Sequence, residues 1–240
     1  MTKEIVIAAY DKNLSWMDKL NTDIKKTIYR KGINTNNPNE IFVEQNLGRC
    51  VHSFFNHIYI NYDNLSDLTF FAQDYPFDHW ENIVEVINDG VDKCNECAAL
   101  KIGGYWGFHF NSLQAPKKIE VKDISDNIQA LSVGTMWELS TSRQFDSGKV
   151  LVCESNGHPH DYNPRINVDK IWNLLFDYEK PNLYEFIPGG HFGILKEHAH
   201  IRSKEFYKKV VELLIEDTIN PWNIERLECY FFNPKFKTKL

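Results

Sequence analysis

No apolar run in this chain of 240 residues approaches the roughly 20 residues needed to span a bilayer. No long basic block is present either. Lys and Arg number 27 against 33 Asp and Glu, giving a mild formal net charge of −6. No cluster of cations is long enough to track a phosphate backbone, so nucleic acid is excluded as an expected partner. Cysteine is scarce and odd in number, five in all, which argues against a disulfide framework and for a reducing, cytoplasmic setting. Cys94-Asn-Glu-Cys97 has metal or redox spacing, but no second Cys pair or His pair follows at zinc-site distance, so free thiols near a helix end are expected. Internal repeats, low-complexity tracts and a clear linker are also missing.

What the chain does have is apolar mass: 42% hydrophobic residues, with 16 Phe, 11 Tyr and 6 Trp. That is enough to bury a full core and too much for a disordered chain. The start, Met1-Thr-Lys-Glu4 before Ile5–Ala9, has no signal-peptide pattern. Ile5–Ala9 is a continuous apolar run of strand length, as in sheets covered on both faces. It opens into Tyr10-Asp11-Lys12-Asn13, where Asp11 either holds a base or ribose or caps the next turn. Thr27–Gly32 and Ile41–Val43 read as second and third short strands.

Val51, Phe54, Phe55, Ile58 and Tyr62 recur at helical spacing. Gly48 and Arg49 stand just before the first turn of this helix and His52 on it. Unpaired amides at a helix start attract anions, and an arginine strengthens that; the alternative is a glycine easing the chain into the helix beside a surface charge. Leu68–Ala72 reads as a buried strand. It runs into Gln73-Asp74-Tyr75-Pro76-Phe77-Asp78-His79, a polar rim of the kind open α/β sheets turn toward ligands. Trp80, Ile83, Val84 and Ile87 then predict another helix.

From about residue 95 to 165 the pattern weakens. Gly103–Phe110 is rich in glycine and aromatics, unlike a regular element, and suits either a ring-presenting loop or core packing. Lys149–Cys153 reads as a strand. His158-Pro-His160-Asp161 has the chemistry of a metal loop, although surface histidines fit as well. Val168, Ile171, Trp172, Leu175 and Tyr178 predict a helix face. Gly189-Gly190 reads as a turn feeding a strand, and Ser203 as the cap of a helix burying Phe206, Val210, Leu213 and Leu214. Asn220-Pro221-Trp222 reads as an interruption before Ile224–Phe232. The lysine-bearing tail Asn233–Leu240 is expected to fray, with weak contact to an anionic membrane surface as the alternative.

Together, Ile5-Val-Ile-Ala-Ala-Tyr-Asp11 with Leu14-Ser-Trp16, Leu47-Gly-Arg49 with His52, Phe71-Ala-Gln73, and Pro76-Phe-Asp-His79 resemble a family known only as a domain of unknown function. Gly190-His191-Phe192, Arg202–Tyr207 and Glu225-Arg226-Leu227 carry the likeness through the C-terminal part. Members of that family often lie among surface-polysaccharide genes, and its layout is similar to GT-A glycosyltransferases. The resemblance implies a single α/β, Rossmann-like domain over residues 1–240 with a mostly parallel central sheet flanked by helices. Residues 1–95 would form the donor-nucleotide half and 96–240 the acceptor half.

The implied activity is transfer of a sugar from a nucleotide-sugar donor to a glycan acceptor in surface-polysaccharide synthesis. Tyr10, Asp11, Gly48, Arg49, His52, Gln73, Asp74, His79 and Arg226 are then the expected substrate-binding residues. Glu225, His191 and Asp78 are the expected catalytic ones, since an acceptor hydroxyl needs a base. GT-A enzymes commonly hold Mn or Mg with Asp-x-Asp. Here Asp74, Asp78 and His79 stand in its place as metal candidates, and a diphosphate held by Arg49 and helix amides is the other solution. Two other classes fit the residues: a metal-dependent hydrolase using Asp74, Asp78 and His79, and a non-catalytic carbohydrate-binding protein.

Overall fold

A computed structural model describes residues 1–78, 82–89, 167–181 and 190–240, together with the backbone of strands at 99–102, 105–108, 130–132, 142–143, 152–153 and 184–186. At its centre lies a seven-stranded sheet. Four strands, β1 (Lys3–Ala9), β2 (Lys25–Lys31), β3 (Glu40–Val43) and β4 (Leu68–Gln73), pair in parallel in the order β3-β2-β1-β4. Beyond β4 the order continues with β11 (Phe192–Leu195), β6 (Tyr105–Phe108) and β5 (Ala99–Ile102), each antiparallel to its neighbour. The sheet is therefore mostly parallel in direction, with β11 and β5 reversed. Two further two-stranded pairs join β7 (Ala130–Ser132) to β10 (Tyr184–Phe186) and β8 (Ser142–Arg143) to β9 (Val152–Cys153).

Alternation along β1 and β4 builds a core on each face, because successive side chains in a strand point to opposite sides. Ile5, Ile7, Ala9, Leu68, Phe70 and Ala72 pack with Trp16, Met17 and helix α2 (Ile83–Asp89). Val6, Ala8 and Phe71 face the larger cluster. That cluster contains α1 (Arg49–Ile60), α3 (Val168–Leu175), α5 (Lys204–Glu216), α6 (Asn220–Glu225) and α7 (Glu228–Phe231). The short α4 (Lys196–Ala199) links β11 to α5. The stripe Val51, Phe54, Phe55 and Ile58 of α1 is buried to 4% exposure or less, each side chain stabilising the fold by about 1.5–3 kcal/mol. No helix among the described residues is long and apolar enough to cross a membrane.

Several expectations need correction. Part of the Gly- and aromatic-rich stretch is regular structure: Tyr105–Phe108 is strand β6, antiparallel to β5 with Ile102 opposite Tyr105, while residues 103–104 and 109–110 lie outside the described residues. Asn220-Pro221-Trp222 opens α6 rather than interrupting, since proline costs nothing in a first turn whose N–H lacks a partner anyway. Tyr178 lies beyond the end of α3 and is 42% exposed; its carbonyl accepts from Trp172 Nε1 at 2.9 Å.

The tail, expected to fray, is instead hydrogen-bonded to the residues at the end of α3. Asp177 and Lys239 donate backbone N–H groups to Lys237 and Leu175 carbonyls at 2.9 and 3.0 Å, and Phe176 bridges to Thr238. Ser203 caps α5 as expected, accepting from the Phe206 amide at 3.0 Å. The Cys94/Cys97 pair, the His158–Asp161 loop and Trp80 lie outside the described residues.

Candidate functional site

The strand order itself locates a crevice. From β1 the chain moves to β2 and β3 on one side, then returns to place β4 on the other, so the sheet switches direction between β1 and β4. Ligands of open α/β sheets bind outside the carboxyl ends of the strands at such a point. A cavity of about 460 Å³ lies there, walled by Ala8, Ala9 and Tyr10 from β1 and by Gln73 and Asp74 from β4. Lys31 at the end of β2, the Asn46–Cys50 stretch entering α1, and Thr218, Pro221 and Trp222 at α6 complete it.

Each wall is fixed by identifiable bonds. Asp74 Oδ2 accepts the backbone N–H groups of Tyr10, Asp11 and Lys12 at 2.8, 3.2 and 3.0 Å, and its carbonyl accepts from Trp16 Nε1 at 2.9 Å. From the other side Arg30 donates to the Tyr10 carbonyl at 3.1 Å. Arg30 is itself held by Glu40 through two bonds of 2.8 Å, and that pairing pulls the Glu40 carboxyl down to about 2. Tyr10 thus has its backbone clamped at both ends while the residue stays 47% exposed on the cavity rim. Asp11 is exposed, with its carboxylate 3.5 Å from Lys12. Asp11 does not cap the following turn, whose N-cap position Leu14 has no side-chain cap; Asn13 Oδ1 accepts the Ser15 N–H at 2.8 Å just before it.

The α1 entrance is unusual backbone. Gly48 and Arg49 both have positive φ, 64° and 52°, a region that costs a non-glycine residue about 1–2 kcal/mol. No side chain caps the helix. The Arg49 guanidinium lies over the Trp222 ring, 4.7 Å from its centroid, a cation–π contact joining the two lips of the cavity.

Lys31 sits deeper, only 2% exposed. Its ammonium donates to the Leu47 carbonyl at 2.7 Å and to that of Arg49. Burial pushes it down to about 8, with Arg49 adding like-charge repulsion. Sequence reasoning missed Lys31. Its one signal was position, a cation as the last residue of a parallel strand in Arg30-Lys31-Gly32.

The other expected site residues divide. Tyr10, Gly48, Arg49, Gln73 and Asp74 come together around the cavity. His52 faces the α1 entrance, with its Cβ 2.6 Å from where a Cβ on Gly48 would sit, and burial pushes it down to about 4. It is therefore neutral near pH 7 and adds no charge to an anion site. His191 is 1% exposed, its Nδ1 accepting from the Gln73 amide at 3.4 Å. It supports the end of β4 and does not line the cavity. Glu225 and Arg226 pair at 3.0 Å, with Arg226 also donating to the Trp222 carbonyl at 2.9 Å; they lie one turn behind the Trp222 wall. Asp78 ends a single turn, Pro76–Asp78, while its side chain and His79 lie outside the described residues.

Of the three residues expected to hold the Mn or Mg that the resemblance implies, Asp74 gives Oδ2 to three amides, while the Asp78 side chain and His79 lie outside the described residues. Among the described residues no group of three or more His, Cys, Asp or Glu side chains is placed to hold a metal ion.

Fold and cavity define an α/β protein with a cation-bearing crevice at a sheet switch point. The chain belongs to the family described as "Protein of unknown function (DUF3431)", whose model matches residues 5–239. No curated protein and no solved structure matches it.

Proposed function

We propose that this protein is a glycosyltransferase, moving a sugar from a nucleotide-sugar donor to a glycan acceptor in surface-polysaccharide synthesis, on a GT-A-like fold. One observation carries the reading: the cavity at the β1/β4 switch point brings an exposed tyrosine, two cations and a carboxamide together at the strand ends. A nucleoside diphosphate has a flat base, two anionic phosphates and a polar sugar, and each meets a matching surface here. Tyr10 offers its ring to the base. Arg49 and the uncapped start of α1 offer positive potential to the diphosphate, the group on which charge grows as the glycosidic bond breaks. Gln73 supplies amide hydrogen-bonding groups to the donor sugar.

Glu225 is the proposed acceptor-side base, lying one turn beyond Trp222 on α6. In this reading Asp74 organises the Tyr10–Lys12 loop, and metal chelation is not assigned to it. A thermal-shift panel of UDP, GDP, CMP and their sugar conjugates, with and without Mn²⁺, tests the proposal. It expects one nucleotide series to raise Tm; a flat panel would sink it. If a donor is found, Glu225→Gln should bind it with unchanged affinity and lose transfer by about two to four orders of magnitude. Full activity would remove Glu225 from the role.

A further inference from the structure

Among the described residues Lys31 is a buried cation, 2% exposed, with no carboxylate partner within ion-pair distance. The groups that act on it electrostatically are Cys50 and Arg49, whereas the Glu225 and Glu228 carboxylates of α6 and α7 act on Cys50. Arg49 on α1 is a cation, and His52 beside it is held neutral by burial. The Cys50 thiol is pushed up to about 11 by burial and stays protonated. Tyr10 presents a phenol. Asp74 shares the cavity but turns Oδ2 toward three backbone amides.

Burying a charge without its partner is among the costliest things a fold can do. Two carbonyls share the ammonium's hydrogens, and they offset only part of that cost. An ammonium has three donors, so one remains for the cavity that Lys31 lines. The neighbouring Arg49, strained at φ 52°, brings a second positive charge to the same space. Strained backbone and a buried charge meet at one cavity, a combination that clusters at ligand sites.

We propose that Lys31, with Arg49, is the counter-ion pair for a diphosphate group, and that the site takes this anion without a divalent metal. The proposal rests on the glycosyltransferase reading only for the identity of what carries the diphosphate. The chemistry of the pocket asks for two adjacent phosphates whether they arrive on a nucleotide or as free pyrophosphate. Since burial holds Lys31 near 8, the group loses its proton as pH rises through that value. Diphosphate affinity should therefore fall above it, because a neutral amine offers no charge.

The test is calorimetric titration of the full chain with pyrophosphate, UDP, GDP and CMP, in EDTA and then with Mn²⁺, on wild type, Lys31→Met and Lys31→Arg. In EDTA, Lys31→Met should weaken pyrophosphate by about tenfold or more. Wild-type affinity should decline between about pH 7 and 9.5, and Lys31→Met should show no such decline. Lys31→Arg keeps the charge, so it should keep binding and shift the decline above this window.

Equal affinity in Lys31→Met and wild type, or wild-type binding that needs Mn²⁺, overturns the proposal. Should Lys31→Met fail to fold by circular dichroism, Lys31→Arg and the wild-type pH profile decide it alone. Pyrophosphate binding with these dependences, and no tighter binding of any nucleotide, leaves the anion site standing and removes the glycosyltransferase reading. Tight nucleotide binding indifferent to Lys31 does the reverse.

Discussion

Replacing Gly48 with alanine tests whether the α1 entrance is as constrained as its geometry indicates. At φ +64° an alanine pays about 1–2 kcal/mol for the left-handed conformation alone. Its Cβ would also stand 2.6 Å from His52 Cβ and 3.1 Å from the Leu214 carbonyl oxygen. Neither neighbour is a flexible tip: the first is fixed to α1 and the second is backbone of α5. Overpacking of that kind adds about 1–3 kcal/mol, giving a loss of about 3 kcal/mol and a fall in Tm of about 6–12 °C for a chain of this size.

Gly190 is the internal control. It has the same φ of 64°, but a Cβ there meets only Cys50 Sγ at 3.7 Å, an ordinary contact. Gly190→Ala should therefore cost only the conformational part, about 1–2 kcal/mol. Urea unfolding of both variants, compared at constant m, is the assay. Equal losses in the two would refute the steric argument at Gly48, and a neutral Gly190→Ala would refute the conformational one.

Other consequences are more local. Asp74→Ala removes the acceptor of three backbone N–H groups; it should cost about 1–3 kcal/mol and raise protease sensitivity at residues 10–12, while Asp74→Asn, which keeps an acceptor oxygen, should recover most of the loss. Wild-type sensitivity at that loop in Asp74→Ala would contradict the positioning role. His57, buried beside Glu4 and Tyr29, is pushed down to about 4 from 6.5 by burial. The unfolded chain binds this proton below about 6.5 and the folded chain only near 4, so stability is full above that window and falls through it as pH drops. The slope is up to about 1.4 kcal/mol per pH unit for each such group. His52 shifts in the same direction, so His57→Gln should remove about half of the combined slope in denaturant titrations from pH 6.5 to 4; an unchanged slope would contradict the assignment.

The parallel part of the sheet was legible because Ile5–Ala9 and Leu68–Ala72 are apolar runs of strand length ended by turn residues, whereas β5 and β6 were not, their glycine and aromatic content masking the pattern. The α1 stripe and the Ser203 cap were equally plain, since both depend on spacing within a few residues. The site was legible only in pieces. Gly48, Arg49, Gln73 and Tyr10 announced themselves by chemistry at element ends, but Lys31 is one of many lysines in the sequence. What sets it apart is burial under the α1 entrance, a product of tertiary packing. Asp74 was legible as a cavity residue, but its bonds to the amides of the Tyr10–Lys12 loop were not, because a carboxylate after a strand looks the same whether or not it gathers a neighbouring loop. Trp222 was hidden behind a proline read as a break, when proline at the first helical turn starts a helix.

The central claim is that the β1/β4 crevice is where a nucleoside diphosphate binds. Hydrogen–deuterium exchange of the wild-type protein, with and without the nucleotide that most raises Tm, addresses it directly. The account predicts slowed exchange confined to residues 10–12, 46–51 and 73–74, the amides around Tyr10, the start of α1 and the end of β4. Protection at other segments with these unchanged would contradict it.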